Sequence, residues 1–196
     1  GKIMDQTPNQ ISLGFSYVTF LIPGIMAMEV INASVQNPMS SLMIAKWSGT
    51  LIDILMAPLT PFALWISYIA GAFVRSFIVA LSVLIAGTIC AQFIPHVNLL
   101  MMLFSSFVSV GIFASLGVIL GIICKSWDQV GMILSFIIQP LVLFSGVFFS
   151  FNSFPQWIQF VKYLNPIFYI VSLFRYSILH VADMNIAIAM LVSCIF

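Results

Sequence analysis

Residues 62–94 read FALWISYIAGAFVRSFIVALSVLIAGTICAQFI, an almost unbroken apolar run whose one formal charge is Arg75. A helix needs about 20 such residues to cross the hydrocarbon core of a bilayer, so the run is longer than one span. An arginine is costly at the bilayer centre. The reading therefore places the membrane segment at residues 76–94 and lets residues 62–75 approach along the interface.

The rest of the chain has the same character. Of 196 residues, 62% are hydrophobic and 6% charged, and the mean hydropathy is +1.19. A soluble domain carries about 25% charged residues, so this inventory cannot build a water-exposed surface. The expected class is an all-α, polytopic transmembrane helical bundle. A net charge of +1 offers no field for nucleic acid or an acidic surface. Cys90, Cys124 and Cys194 have no metal or disulfide spacing.

Working outward from the central run, Pro95-His96-Val97-Asn98 is a turn and residues 99–124 a second span, in which Gly117 and Gly121 form a small-xxx-small pair. Lys125-Ser126-Trp127-Asp128-Gln129 is a polar turn before a further span at residues 130–151, kinked at Pro140. On the N-terminal side, residues 13–35 form an apolar run that ends at Asn37-Pro38, a helix-stop signal. Residues 40–58 differ in kind. As one helix they place Trp47, Leu51, Ile54 and Leu55 on one arc and Lys46, Gly49, Thr50 and Asp53 on the other. That is a short amphipathic helix, closed by Pro58 and Pro61.

Residues 145–180 are apolar yet broken by Asn152, Pro155, Lys162, Asn165, Pro166 and Arg175. They are expected to lie in the interface or to re-enter it where protein covers the backbone, with Trp157 and Tyr163 at headgroup level. The apolar run that opens at Met184 stops at Phe196, too short for a span, so the last helix is expected to be cut short. The count is four complete spans, one partial span and one interfacial helix. The Lys/Arg balance across the turns gives no orientation.

Catalytic motifs do not emerge. GxSxG, HExxH, acidic metal clusters and a Walker loop are all missing from the sequence, which points away from an enzyme and from nucleotide hydrolysis by this chain. Glu29 is the one carboxylate inside a span, with Asn32 and Gln36 at i+3 and i+7 on the same face. Two readings stand beside each other: a proton relay or path-lining group, or a protonated glutamate that hydrogen-bonds across a helix interface.

Three motifs in order carry a likeness: Tyr17-x-x-Phe20 into Pro23-Gly24, Gly49-Thr50-Leu51 running to Leu55-x-Ala57-Pro58, and Leu164-Asn165-Pro166 with Tyr169 and Arg175. With them the chain resembles the ABC-2 type permease family, the membrane subunits of bacterial ATP-binding-cassette exporters. The resemblance implies a single permease domain over residues 1–196, lacking the first of six membrane helices and the end of the sixth. It also implies a multi-pass place in the bacterial inner membrane, a second permease copy, and two cytosolic ATP-binding subunits that hold the ATP and magnesium. No cofactor would be bound by this chain.

In that frame the 40–58 segment is the cytoplasmic coupling helix, with Lys46, Trp47, Thr50, Leu51, Asp53 and Ile54 meeting the ATPase. Glu29, Asn32, Gln36 and Pro140 would line the translocation path. Phe154, Pro155, Trp157, Asn165, Pro166, Tyr169 and Arg175 would form an extracytoplasmic gate of short re-entrant helices. The substrate would be a drug, a lipid or a polysaccharide. The competing expectation is a gradient-driven transporter or channel that uses Glu29.

Overall fold

The computed structural model describes residues 17–91, 97–147, 165–179 and 186–195. Every regular element among them is helical: α1 (Tyr17–Ser48), α2 (Leu51–Met56), α3 (Pro61–Ala91), α4 (Leu99–Ile123), α5 (Trp127–Ile133), a π turn (Leu134–Ile138), α6 (Gln139–Leu143), α7 (Pro166–Leu179) and α8 (Ile186–Ile195). Helices α1, α3 and α4 are long and apolar enough to cross a membrane. Trp127–Leu143 and Pro166–Leu179 are shorter apolar helices. All-helical architecture follows from the composition, because a helix is one of the few structures that satisfies its backbone polar groups without water.

The starts of these helices follow from local chemistry. Thr60 accepts the Ala63 amide on its hydroxyl at 3.2 Å, and Pro61 occupies the first helical position of α3. Asn98 caps α4 by accepting from the Met101 amide at 3.4 Å. Ser126 caps α5 by accepting from the Gln129 amide, while the Gln129 side chain accepts in return from the Lys125 amide at 2.8 Å. Asn165 accepts from the Ile167 amide at 3.0 Å and Pro166 opens α7.

Three sequence expectations change. Asn37-Pro38 does not stop the first helix, since α1 runs on to Ser48. Proline removes one backbone hydrogen bond and crowds the preceding turn, but a buried helix tolerates this where its neighbours fit around it. Pro38 is buried, and its ring would meet any side chain placed at Gly117. Second, residues 62–75 do not form an interfacial approach. They are the first half of the continuous helix α3, which puts Arg75 near its middle. Third, the span expected at residues 130–151 ends as a regular helix at Leu143 and is followed by Gly146 at φ 82°, while residues 148–151 of that span lie outside the described residues.

Two compact units divide the contacts: residues 1–28, 80–105 and 141–196 in one, residues 29–79 and 106–140 in the other. In the first, α7 is buried along nearly its whole length, and Tyr169 and Leu173 pack against Ala189 of α8. Gly24 lets the α1 backbone come so near Val147 that an added Cβ would stand 2.7 Å from its carbonyl oxygen. The Asn98 amide donates to the Ser177 carbonyl at 2.8 Å, fixing the start of α4 to α7.

In the second unit, α1 and α4 meet along Gly117 and Gly121. A Cβ at Gly117 would overlap the Val35 carbonyl and Pro38, and one at Gly121 would stand 2.9 Å from Leu42. The small-xxx-small spacing thus allows the close approach expected of it. Helix α3 meets α1 through the hydroxyls of Ser34 and Ser76, 3.0 Å apart and buried. It meets α4 through Phe73 and Phe107, edge to face with centroids 6.0 Å apart.

Candidate functional site

The segment read as one amphipathic helix is two pieces. Residues 40–48 complete α1, Gly49 takes φ 77°, and α2 begins afresh at Leu51. Only glycine adopts that dihedral without strain, so the break is written into the sequence. Around it, the Ser48 and Thr50 hydroxyls lie 2.9 Å apart and the Ile54 amide donates to the Thr50 carbonyl at 3.2 Å. Helix α2 has no buried residue.

The break changes which side chains share a face. Leu51, Ile54 and Leu55 line an apolar groove with Lys46 of α1, Trp65 of α3 and Ile122 of α4, enclosing 320 Å³. Lys46 therefore stands with the residues that a single helix would set opposite it. Trp47 points elsewhere and is 70% exposed, and Thr50 and Asp53 are exposed as well. Ile52 at 65% and Met56 at 79% are exposed apolar side chains that the single-helix projection does not single out.

The Lys46 ammonium donates to the carbonyl oxygens of Gly121 and Ile122 at 2.7 Å and of Cys124 at 2.8 Å. These groups belong to the C-terminal end of α4, where the last carbonyls lack helical partners and carry the negative pole of the helix dipole. All three ammonium protons thus have an acceptor. Lys46 fastens the end of α1 to the end of α4.

Along α1, Glu29 and Gln36 are half-buried and Asn32 is 8% exposed. Their spacing puts them on one stripe, and they include the less covered positions of an otherwise buried stretch. The Asn32 side-chain oxygen Oδ1 has no hydrogen-bond partner among the described residues. Pro140, half-buried, comes directly after the π turn in which the Gln139 amide donates to the Leu134 carbonyl.

Of the seven residues assigned to a gate, Phe154, Pro155 and Trp157 lie outside the described residues. The other four sit in the first unit. Asn165 is 7% exposed, donates to the Leu141 carbonyl at 2.7 Å and caps α7, which Pro166 opens. Tyr169 is 5% exposed against α8. Arg175 is 2% exposed; its Nη2 donates to the Gly146 carbonyl and its guanidinium carbon lies 4.0 Å from the centre of the Phe20 ring. This buried arginine holds the turn after α6 and the start of α1 to α7. No group of His, Cys, Asp and Glu able to hold a metal ion occurs among the described residues.

These features define a class, a helical membrane protein with an exposed short helix beside a long span. The family is then settled by comparison. The ABC-2 type transporter family pattern matches residues 1–179, and the chain belongs to that family. It is 31% identical over 170 residues to the inner membrane transport permease YadH of Escherichia coli K12, a match that covers 87% of this chain and 66% of the relative. It is 25% identical over 171 residues to the probable multidrug ABC transporter permease YbhR of the same strain, covering 87% of this chain and 46% of that one. With the putative transport permease ycf38 of Cyanophora paradoxa it shares 24% identity over 183 residues, 92% of this chain and 63% of the relative. The chain thus spans just under two thirds of the length of YadH. No solved structure matches it.

Proposed function

We propose that this chain forms the membrane permease domain of an ABC exporter in a bacterial inner membrane. It pairs with a second permease copy and is driven by two cytosolic ATP-binding subunits, which hold the ATP and magnesium. The observation that carries this reading is α2, a short helix with no buried residue, set off from α1 by Gly49 and lying over a groove shared with α3 and α4. A short exposed helix of this kind has no folding role that its own burial would explain. It is suited to receiving a push from a partner.

In this mechanism closure of the ATP-binding subunits moves the coupling segment made of Lys46, Trp47, Thr50, Leu51, Asp53 and Ile54. The roles within it divide by exposure. Trp47, Thr50 and Asp53, joined by the neighbouring Ile52 and Met56, meet the partner, while Leu51 and Ile54 pass the motion into the groove and Lys46 passes it to α4. Glu29, Asn32 and Gln36 on α1, with Pro140 beyond the π turn, line the path. Phe154, Pro155, Trp157, Asn165, Pro166, Tyr169 and Arg175 close the outer end. The ATPase biases one of two packings, which is alternating access.

The test uses the full-length permease and its ATPase in proteoliposomes. Ile52→Asp and Met56→Asp are expected to weaken ATPase binding and lower export together, whereas Leu51→Asp keeps the ATPase bound but lowers transport per ATP. Normal export in all three variants would overturn the coupling role of α2.

A further inference from the structure

Two formal charges of opposite sign lie in the middle of long apolar helices. Glu29 sits within α1 and Arg75 within α3, and each helix meets the length and hydropathy of a membrane span. Arg75 is exposed and Glu29 half-buried, and no ion pair or hydrogen bond engages either side chain among the described residues. A charge at the depth of the hydrocarbon core has to find a counter-charge or a wet cavity. Neither group takes part in the coupling segment or in the buried Arg175 cluster.

The packing of α1 on α3 decides how the two stand. The Ser76 hydroxyl lies 3.0 Å from that of Ser34 and donates to the Val30 carbonyl at 3.5 Å. Further along, Gly71 faces the Asn37 side chain. Rising numbers on one helix meet falling numbers on the other, so α1 and α3 run antiparallel here. Glu29 is one residue before Val30, and Arg75 is one residue before Ser76. One step back turns a side chain by about 100° around its helix. On antiparallel helices the two turns have opposite senses when seen from one end. Starting from positions that face each other, they bring both side chains to the same flank of the pair. Along the axis the two positions differ by roughly one helical turn, about 5 Å. Across a packed pair whose axes stand about 8–10 Å apart, an extended arginine and a glutamate together can bridge that gap.

We propose that Glu29 and Arg75 form an ion pair across the α1–α3 flank in the bilayer, and that this pair is an electrostatic element of the translocation path. The inference rests on the reading that the polar stripe of α1 borders that path. Paired, the two groups keep a neutral flank at the membrane centre. Parted, they present a carboxylate and a guanidinium to whatever passes. Arg75 thereby acts as the positioning partner of Glu29, a role that the central placement of Arg75 within α3 makes available.

Two measurements on the full-length permease test this. In the first, Glu29→Cys and Arg75→Cys are combined in a background without native cysteines, with a protease site in the loop of residues 57–60. A short bifunctional thiol reagent is expected to hold the two fragments of one chain together after cleavage. A cross-link only between two chains, or none, overturns the pair. The second is a charge cycle read by thermal melting in detergent and by export with the ATPase partner. Glu29→Gln and Arg75→Gln are each expected to lower export about tenfold, and the exchange Glu29→Arg with Arg75→Glu to recover most of it, the signature of direct coupling. Losses that add in the exchange, in melting and export alike, overturn the proposal. If wild-type protein exports nothing, the functional reading fails, while the cross-link and the melting cycle still decide the pair.

Discussion

Lys46 donates to the Gly121 carbonyl at 2.7 Å, so the last turn of α1 is fastened to the last turn of α4 by a charged hydrogen bond. Two further bonds to Ile122 and Cys124 complete the cap. Lys46→Met removes all three donors and leaves a helix end without its cation. Charge-assisted bonds of this kind contribute about 1.5–3 kcal/mol, and a C-terminal cation adds roughly 0.3–1 kcal/mol. The expected outcome is a lower melting temperature for the full-length protein in detergent, with Lys46→Arg retaining most of the difference.

Gly117 and Gly111 lie on the same helix and separate packing from propensity. A Cβ at Gly117 overlaps the backbone of α1, whereas one at Gly111 meets nothing within 4 Å. Gly117→Ala is expected to destabilise by roughly 1–3 kcal/mol, the usual cost of overpacking. Gly111→Ala is expected to be neutral or to stabilise by up to about 1 kcal/mol through helix propensity. Melting of the two variants side by side checks the contrast, and equal shifts would remove the case for close approach.

Arg175 offers a third contrast. Its guanidinium reaches the Gly146 carbonyl while its carbon stands 4.0 Å from the Phe20 ring centre. Lysine carries the charge but not the planar fork that can donate and stack at once. Arg175→Lys is expected to melt below wild type, and Arg175→Met further below, since a buried carbonyl left without its donor costs about 1–3 kcal/mol. Wild-type melting in Arg175→Lys would show that the charge alone suffices.

The fold is most legible in the sequence where one local signal acts alone. The apolar run after Asn98 is α4 with nearly its expected ends, and Gly117 and Gly121 face α1. Legibility fails where tertiary packing overrides the local signal. Pro38 says stop, but burial under Gly117 carries α1 past it. Arg75 says interface, but α3 continues through it.

The candidate site is legible in its residues and not in its geometry. Lys46, Leu51 and Ile54 all stand out in the sequence, yet one φ of 77° at Gly49 decides that they share a groove. A helical projection drawn across that glycine assigns the faces wrongly, and so overlooks Ile52 and Met56. The three bonds of Lys46 are invisible to any one-dimensional reading, because their acceptors lie seventy-five and more residues further along the chain.

The π turn at Leu134–Ile138 has a consequence for descent as well as for shape. Such a turn holds one residue more than the α turn it replaces, and it stands directly before Pro140, whose nitrogen has no hydrogen to give. Elsewhere in these helices, the gain or loss of one codon would rotate every later side chain by about 100° and scramble the packed faces. Here the spare residue can be lost or regained within a single turn while Pro140 and the residues beyond it keep their bearings. This short stretch is where a lineage of such chains can change length by one without rebuilding the protein.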